Sequence, residues 1–249
     1  MKKKYGIYAG FAGVLVFIVI LCIYVIHMQK ASSPQDSSKK IEEIPGFSLL
    51  QQENPNMDIT LKDKSLMIEA VGTYSGKYME DGSDSEIEKV PAVLVRNCSK
   101  QMLQIAEIEL QIEQEKKAVF RLTDIPAGKA VLVLDLNKNI CTEGSKVKYL
   151  SEAESYFDEN FRPADGLEAE GTDGRLTLKN KTEQTCPYVY VYYKTKYTDD
   201  IYLGGITYRV PYEEIPAMTQ VEADAGHYHP DKSEITNIQI IENKNNTDS

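Results

Sequence analysis

The stretch VLVRNCS (Val93 to Ser99), followed later by DIPAGKAVLVL (Asp124 to Leu134), returns as LTLKNKT (Leu176 to Thr182) followed by EIPAMTQVEA (Glu214 to Ala223). Asn97 matches Asn180 at an offset of 180 − 97 = 83, and Ile125-Pro126-Ala127 matches Ile215-Pro216-Ala217 at an offset of 215 − 125 = 90. Between the anchors lie IAEIELQIE (Ile105 to Glu113) and AVFRL (Ala118 to Leu122) in the first copy. YVYVYY (Tyr188 to Tyr193) and ITYRV (Ile206 to Val210) take their place in the second. The seven-residue difference in offset falls to a longer loop around Thr195 to Gly205. Two anchors in the same order, each flanked by strand-like runs, predict a duplicated domain.

The runs alternate. Ile108, Leu110 and Ile112 interleave with Glu107, Glu109, Gln111 and Glu113, and Val189, Val191 and Tyr193 interleave with Tyr188, Tyr190 and Tyr192. A period of two sends one set into a core and the other outward. MLQIAEIELQIEQEKK also contains good helix formers, but its Tyr- and Val-rich counterpart favours strand. Turn signals separate the runs at Glu80 to Asp84, Pro126-Ala127-Gly128, Thr172-Asp173-Gly174 and Gly204-Gly205. Short strands at this spacing predict antiparallel β-sandwiches. The expected order is β-sandwich domain 1 over 57–150, a linker or short helix over 151–166, and β-sandwich domain 2 over 167–242. NKNNTDS after Glu242 is expected to be disordered.

The motifs V-x-N-x-S then I-P-A-G, and L-x-N-x-T then I-P-A-M, resemble in a general way the tandem immunoglobulin-like ectodomains of bacterial single-pass envelope proteins. The likeness covers about 170 residues by the spacing of the motifs. Met218 stands in the second copy where the first has Gly128. The resemblance implies a β-sandwich and no activity.

The N-terminus predicts location. Tyr5 to Ile26 is a largely apolar run without charge, and its 22 residues span about 33 Å as a helix, enough to cross a hydrocarbon core. Lys2, Lys3 and Lys4 precede it, which puts residues 1–4 in the cytoplasm and the bulk of the chain outside. The run exceeds the usual apolar core of a signal peptide, and HMQKASSP holds no good A-x-A site. Leu21 before Cys22 does not fit a lipobox. Gly6 and Gly10 form a GxxxG that would let two helices pack. Residues 27–56 read as a flexible linker, with Ile44 to Leu50 its most apolar part.

The chain holds 28 Lys+Arg against 38 Asp+Glu, a net charge of −10, and all the acidic residues lie beyond the apolar run. That balance argues against a nucleic-acid binder, which needs a basic face. No GxSxG, HExxH, Walker loop or GxGxxG is present. The lone SxxK, Ser37 to Lys40, lies in the linker.

Several constellations remain. Cys98 and Cys141 are a candidate disulfide in an oxidising compartment, leaving Cys186 as a buried thiol or an intermolecular partner. His227 and His229, two apart, with Asp224 or Asp231 adding oxygen, could grip one metal, although a third strong ligand is wanting. Met79 to Glu86 gathers carboxylates without EF-hand spacing and reads as a solvated hairpin loop. Tyr188, Tyr190 and Tyr192, with Tyr197, Tyr202 and Tyr208, are candidates for an aromatic partner face, against routine cross-strand packing. Asn97, Asn180 and Asn245 sit in Asn-x-Ser/Thr triplets, acceptors in a eukaryotic secretory route; for the first two a turn role suffices. The chain is therefore expected to be a non-catalytic, membrane-anchored extracytoplasmic interaction or assembly protein without a cofactor. The alternative is a sugar- or metal-binding ectodomain using the tyrosine face or the histidine loop.

Overall fold

The computed structural model describes residues 44–50, 59–60, 65–113, 116–142, 144–158 and 161–241. The expected membrane span, Gly6/Gly10, the cytoplasmic tail, most of the linker and the tail from residue 242 lie outside these residues. Among the described residues no helix is long and apolar enough to cross a membrane.

Fourteen strands make up the described fold. The first eight are β1 (Phe47–Leu49), β2 (Ile59–Thr60), β3 (Leu66–Lys77), β4 (Glu86–Asn97), β5 (Leu103–Ile112), β6 (Lys116–Ile125), β7 (Ala130–Leu134) and β8 (Val147–Tyr156). The remaining six are β9 (Leu167–Thr172), β10 (Arg175–Asn180), β11 (Cys186–Lys196), β12 (Ile201–Ile215), β13 (Gln220–Asp224) and β14 (Ser233–Ile240). β4 lies between β3 and β7, and β5 between β6 and β8; likewise β10 lies between β9 and β13, and β11 between β12 and β14. All these pairings are antiparallel. The strand-rich reading of the sequence thus holds, and the expected alternation is seen. Ile108, Leu110 and Ile112 enter one core with Phe120, Leu122, Val93, Val95, Val131 and Val133. Val189, Val191 and Tyr193 enter a second with Leu176, Leu178, Tyr212 and Ile215. Each fully buried Leu, Ile or Phe stabilises by about 1.5–3 kcal/mol, so these two layers dominate the energetics.

The two halves share a sheet. It runs β1-β3-β4-β7-β12-β11-β14, and its join is a short parallel pairing of Ile201, Tyr202 and Leu203 on Ala130, Val131 and Leu132. The segment between the two offsets, Thr195 to Gly205, is therefore not a free loop. It supplies the joining strand and inserts Tyr202, 1% exposed, into the first core.

Two boundaries shift. Phe47–Leu49, expected in the flexible linker, pairs with Tyr74, Thr73 and Gly72. Glycine at 72 permits it: a Cβ there would lie 2.3 Å from the Ser48 carbonyl oxygen and 2.5 Å from the Phe47 ring. Val147–Tyr156 overlaps the expected linker or short helix over 151–166 and is instead a strand on β5. Its Val147, Tyr149, Glu152, Glu154 and Tyr156 are half-buried and alternate, with one bulge, with exposed neighbours, a period of two that helix-forming Glu and Ala residues disguise.

Candidate functional site

The tyrosine row is set by strand alternation. With Val189, Val191 and Tyr193 in the core, β11 turns Tyr188, Tyr190 and Tyr192 to the opposite face. There Tyr190 lies opposite Pro211 and Gln239, and Tyr192 opposite Arg209 and Asn237. The rings pack on one another: centroids are 5.1 Å apart for Tyr188 and Tyr190, and 5.9 Å for Tyr190 and Tyr192. The Arg209 guanidinium carbon lies 4.8 Å from the centre of the Tyr190 ring, a cation–π contact. Tyr190 is consequently buried, while Tyr188 and Tyr192 stay half-exposed. Beside Tyr192, Asn237 is 2% exposed and neither its Nδ2 nor its Oδ1 has a partner. Tyr202 and Tyr208 do not extend this face. Tyr202 belongs to the first core, and Tyr208 stacks on Tyr193 from the opposite side of the strand.

The same face continues along β11 into a buried charge cluster. Lys194, two residues beyond Tyr192, is fully buried. Its ammonium donates to the carbonyls of Thr123 (3.0 Å), Gly205 (3.2 Å) and Ile206 (2.7 Å) and to Thr207 Oγ1 (3.2 Å). Thr123 belongs to β6 and the rest to β12, so one side chain ties both halves. Glu80 does the same with opposite charge: Oε1 accepts from Leu134 N at 2.8 Å and Oε2 from Gly205 N at 2.7 Å. Burial pushes the Glu80 carboxyl up to about 7, against the two N–H donors and the Lys194 charge. Burial also holds Lys194 below the ordinary lysine range, opposed by Asp124 and Glu80, and desolvation raises Asp124. Gly205 is obligatory here, since a Cβ would lie 1.8 Å from the Arg121 carbonyl oxygen. Further out, Arg96 pairs with Glu69 and with Asp200, Nη1 to Oδ1 at 3.1 Å and Nη2 to Oδ2 at 3.2 Å. Sequence patterning missed Glu80 and Lys194: the first sits in an acidic loop expected to be solvated, the second in a run of lysines and threonines. Asp81, Ser83, Asp84 and Ser85 of that loop are indeed exposed.

The histidine constellation is dispersed. His227 stacks on Tyr208 with ring centres 4.7 Å apart, His229 Nδ1 contacts Asp173, and Asp224 lies 3.6 Å from Arg175. Among the described residues no group of three His, Cys, Asp or Glu is placed to hold a metal.

The disulfide expectation is corrected. Cys98, Cys141 and Cys186 are all free. Cys98 N bonds Ser65 O beyond one end of β4, while Cys141 N bonds Lys89 O near the other. The nine residues from Lys89 to Cys98 span about 30 Å at about 3.3 Å each, against a limit of about 7 Å between bridged Cα atoms.

The two Asn-x-Ser/Thr motifs are internal clasps. Asn97 Nδ2 donates to Gln101 O and Ile125 O, and its Oδ1 accepts from Ser99 N and Ser99 Oγ. Asn180 repeats this with Gln184 O, Ile215 O, Thr182 N and Thr182 Oγ1. Both asparagines are almost fully buried, so neither amide is open to glycosylation in the folded chain. Met218 keeps the left-handed backbone of its counterpart Gly128, with φ of 54° against 79°.

Set beside known proteins, the chain matches no protein-family model, no curated protein and no solved structure.

Proposed function

We propose that this chain is a non-catalytic, membrane-anchored extracytoplasmic protein that presents two duplicated, immunoglobulin-like β-sandwiches as one stiff body to a protein partner. The paired asparagine clasps and the repeated strand order support the duplication. The apolar run Tyr5 to Ile26 supports the anchor. The observation that carries the partner reading is the outward row of Tyr188 and Tyr192 with Arg209 beside it. Tyrosine and arginine are the residues that interface centres select, because they bury large area with few rotamers to freeze.

The test is cross-linking in intact membranes, followed by purification of the full chain and mass spectrometry. One near-stoichiometric protein partner, lost when Tyr188, Tyr192 and Arg209 are together changed to Ala, is the expected result. Recovery of the chain alone, or a partner indifferent to the triple variant, overturns the reading.

A further inference from the structure

β13 holds the place in the second half that β7 holds in the first, and the two differ in one respect: β7 carries a strand on its outer edge and β13 carries none among the described residues. The correspondence is close at the level of single bonds. Asn97 N donates to Lys129 O, and Asn180 N donates to Thr219 O. Ala130 N then points away from β4 and donates to Asp200 O at 2.9 Å, at the start of the docked segment. Its counterpart is Gln220 (130 + 90 = 220). The bonds Asn180 N to Thr219 O and Ala225 N to Gly174 O bracket the β10–β13 ladder. By the alternation of antiparallel pairs, residues 219, 221, 223 and 225 bond β10, and Gln220, Glu222 and Asp224 turn their N–H and C=O groups to the open edge. All three are exposed.

The flanking charge repeats as well. Arg96 is bound on one side to Glu69 and on the other to Asp200, the residue that opens the docked segment. Its counterpart, Lys179 (96 + 83 = 179), is bound on one side to Glu170 at 2.7 Å; the place that Asp200 takes beside Arg96 has no occupant beside Lys179 among the described residues. Short edge strands with charged residues commonly serve only to discourage pairing. Glu222 and Asp224 share Arg175 here, which fits that simpler role. It does not account for a cation repeated at the position that greets a docked strand.

We propose that the outer edge of β13 accepts, by parallel strand addition, an extended segment of a protein partner with an acidic residue followed by alternating apolar and aromatic residues. The pattern is that of Asp200-Ile201-Tyr202-Leu203 on β7. Main-chain bonds to Gln220, Glu222 and Asp224 hold the strand, and Lys179 sets its register through the acidic residue. This edge is separate from the tyrosine face and does not depend on it. The first copy's β5–β6 hairpin lacks the seven-residue extension that forms the joining strand, so a second copy of the chain is not the expected donor.

The probe is a fluorescent peptide with the sequence of Asp199 to Ile206, added to the full-length chain in detergent, with amide exchange read in parallel. Saturable binding that slows exchange at Gln220, Glu222 and Asp224 is expected. Glu222→Pro removes an outward N–H and abolishes binding, whereas Glu222→Ala retains it. Protection at Val221 and Ala223 reports that the proline variant still folds. Lys179→Glu weakens the peptide about tenfold, and a peptide with Lys in place of the aspartate matching Asp200 recovers the loss. No saturable binding, or equal binding by a folded Glu222→Pro chain, overturns the proposal. So does protection of the three amides before peptide is added. If that protection is independent of concentration, the chain's own outlying segments cover the edge; if it rises with concentration, a second copy does.

Discussion

Asn97 and Asn180 show how a single side chain closes a β-turn that the backbone cannot satisfy alone. Each amide group fills carbonyls from the following turn and from the Ile-Pro corner. Asn97→Ala leaves those carbonyls buried without donors and should lower stability by about 2–3 kcal/mol, read as a shift of the urea midpoint at unchanged slope; Asn180→Ala should do the same. Both residues stood out in the sequence because the clasp needs Asn, then Ser or Thr, then a fixed gap. Glu80 gave no such signal, since one carboxylate among five acidic and serine residues looks solvated. Its weakened acidity makes a pH prediction. The folded state holds the Glu80 proton more tightly than the unfolded chain, so the stabilisation is complete below about pH 4.5 and is lost as pH rises through about 7. The swing is about 3 kcal/mol. Glu80→Gln cannot titrate, and the difference in melting temperature between wild type and this variant should shrink from pH 5 to pH 8. A pH-independent difference would show that Glu80 keeps an ordinary acidity when folded.

Elements were readable where alternation was clean, as in β5 and β11, and obscured where a strand carries charge on its inner side. β8 keeps Glu152 and Glu154 half-buried at the edge of the β6-β5-β8 sheet, and this is why it resembled a helix or linker. β1 was hidden for another reason. Three residues are too few to show a period, and only Gly72 across the ladder tells that they pack. Gly72→Ala should therefore detach β1. A cost of about 1–3 kcal/mol, with new proteolysis near Phe47 and an unchanged tyrosine face, is the expected outcome. The joining strand at Ile201–Leu203 is the harder case. The seven-residue excess was visible, but excess length alone reads as loop. Nothing in the sequence distinguishes a loop from a strand whose partner lies about 70 residues away.

The junction decides whether the two halves behave as one body. Its contacts come from unlike sources: a parallel ladder, Tyr202 in the other half's core, the Arg96–Asp200 pair, and the buried side chains of Glu80 and Lys194, each bonded to backbone groups across the junction. Surface pairs such as Arg96–Asp200 contribute at most about 1 kcal/mol. Lys194 is different, because removing it frees three carbonyls drawn from both halves and takes the opposing charge away from Asp124 and Glu80. Leaving several buried carbonyls without a donor costs about 1–3 kcal/mol each. Cooperative unfolding requires the interface to outweigh the difference in intrinsic stability of the halves, so the wild-type chain should melt in one calorimetric transition whose calorimetric and van't Hoff enthalpies agree. Lys194→Met should split that transition in two, since both cores survive while the link between them fails. The double variant Lys194→Met with Glu80→Leu also leaves the N–H groups of Leu134 and Gly205 without acceptors, so it should separate the two transitions at least as far. Two transitions in wild type would show that the junction does not couple the halves, and a Lys194→Met chain that still melts as one would place the coupling in the β7–β12 ladder and Tyr202.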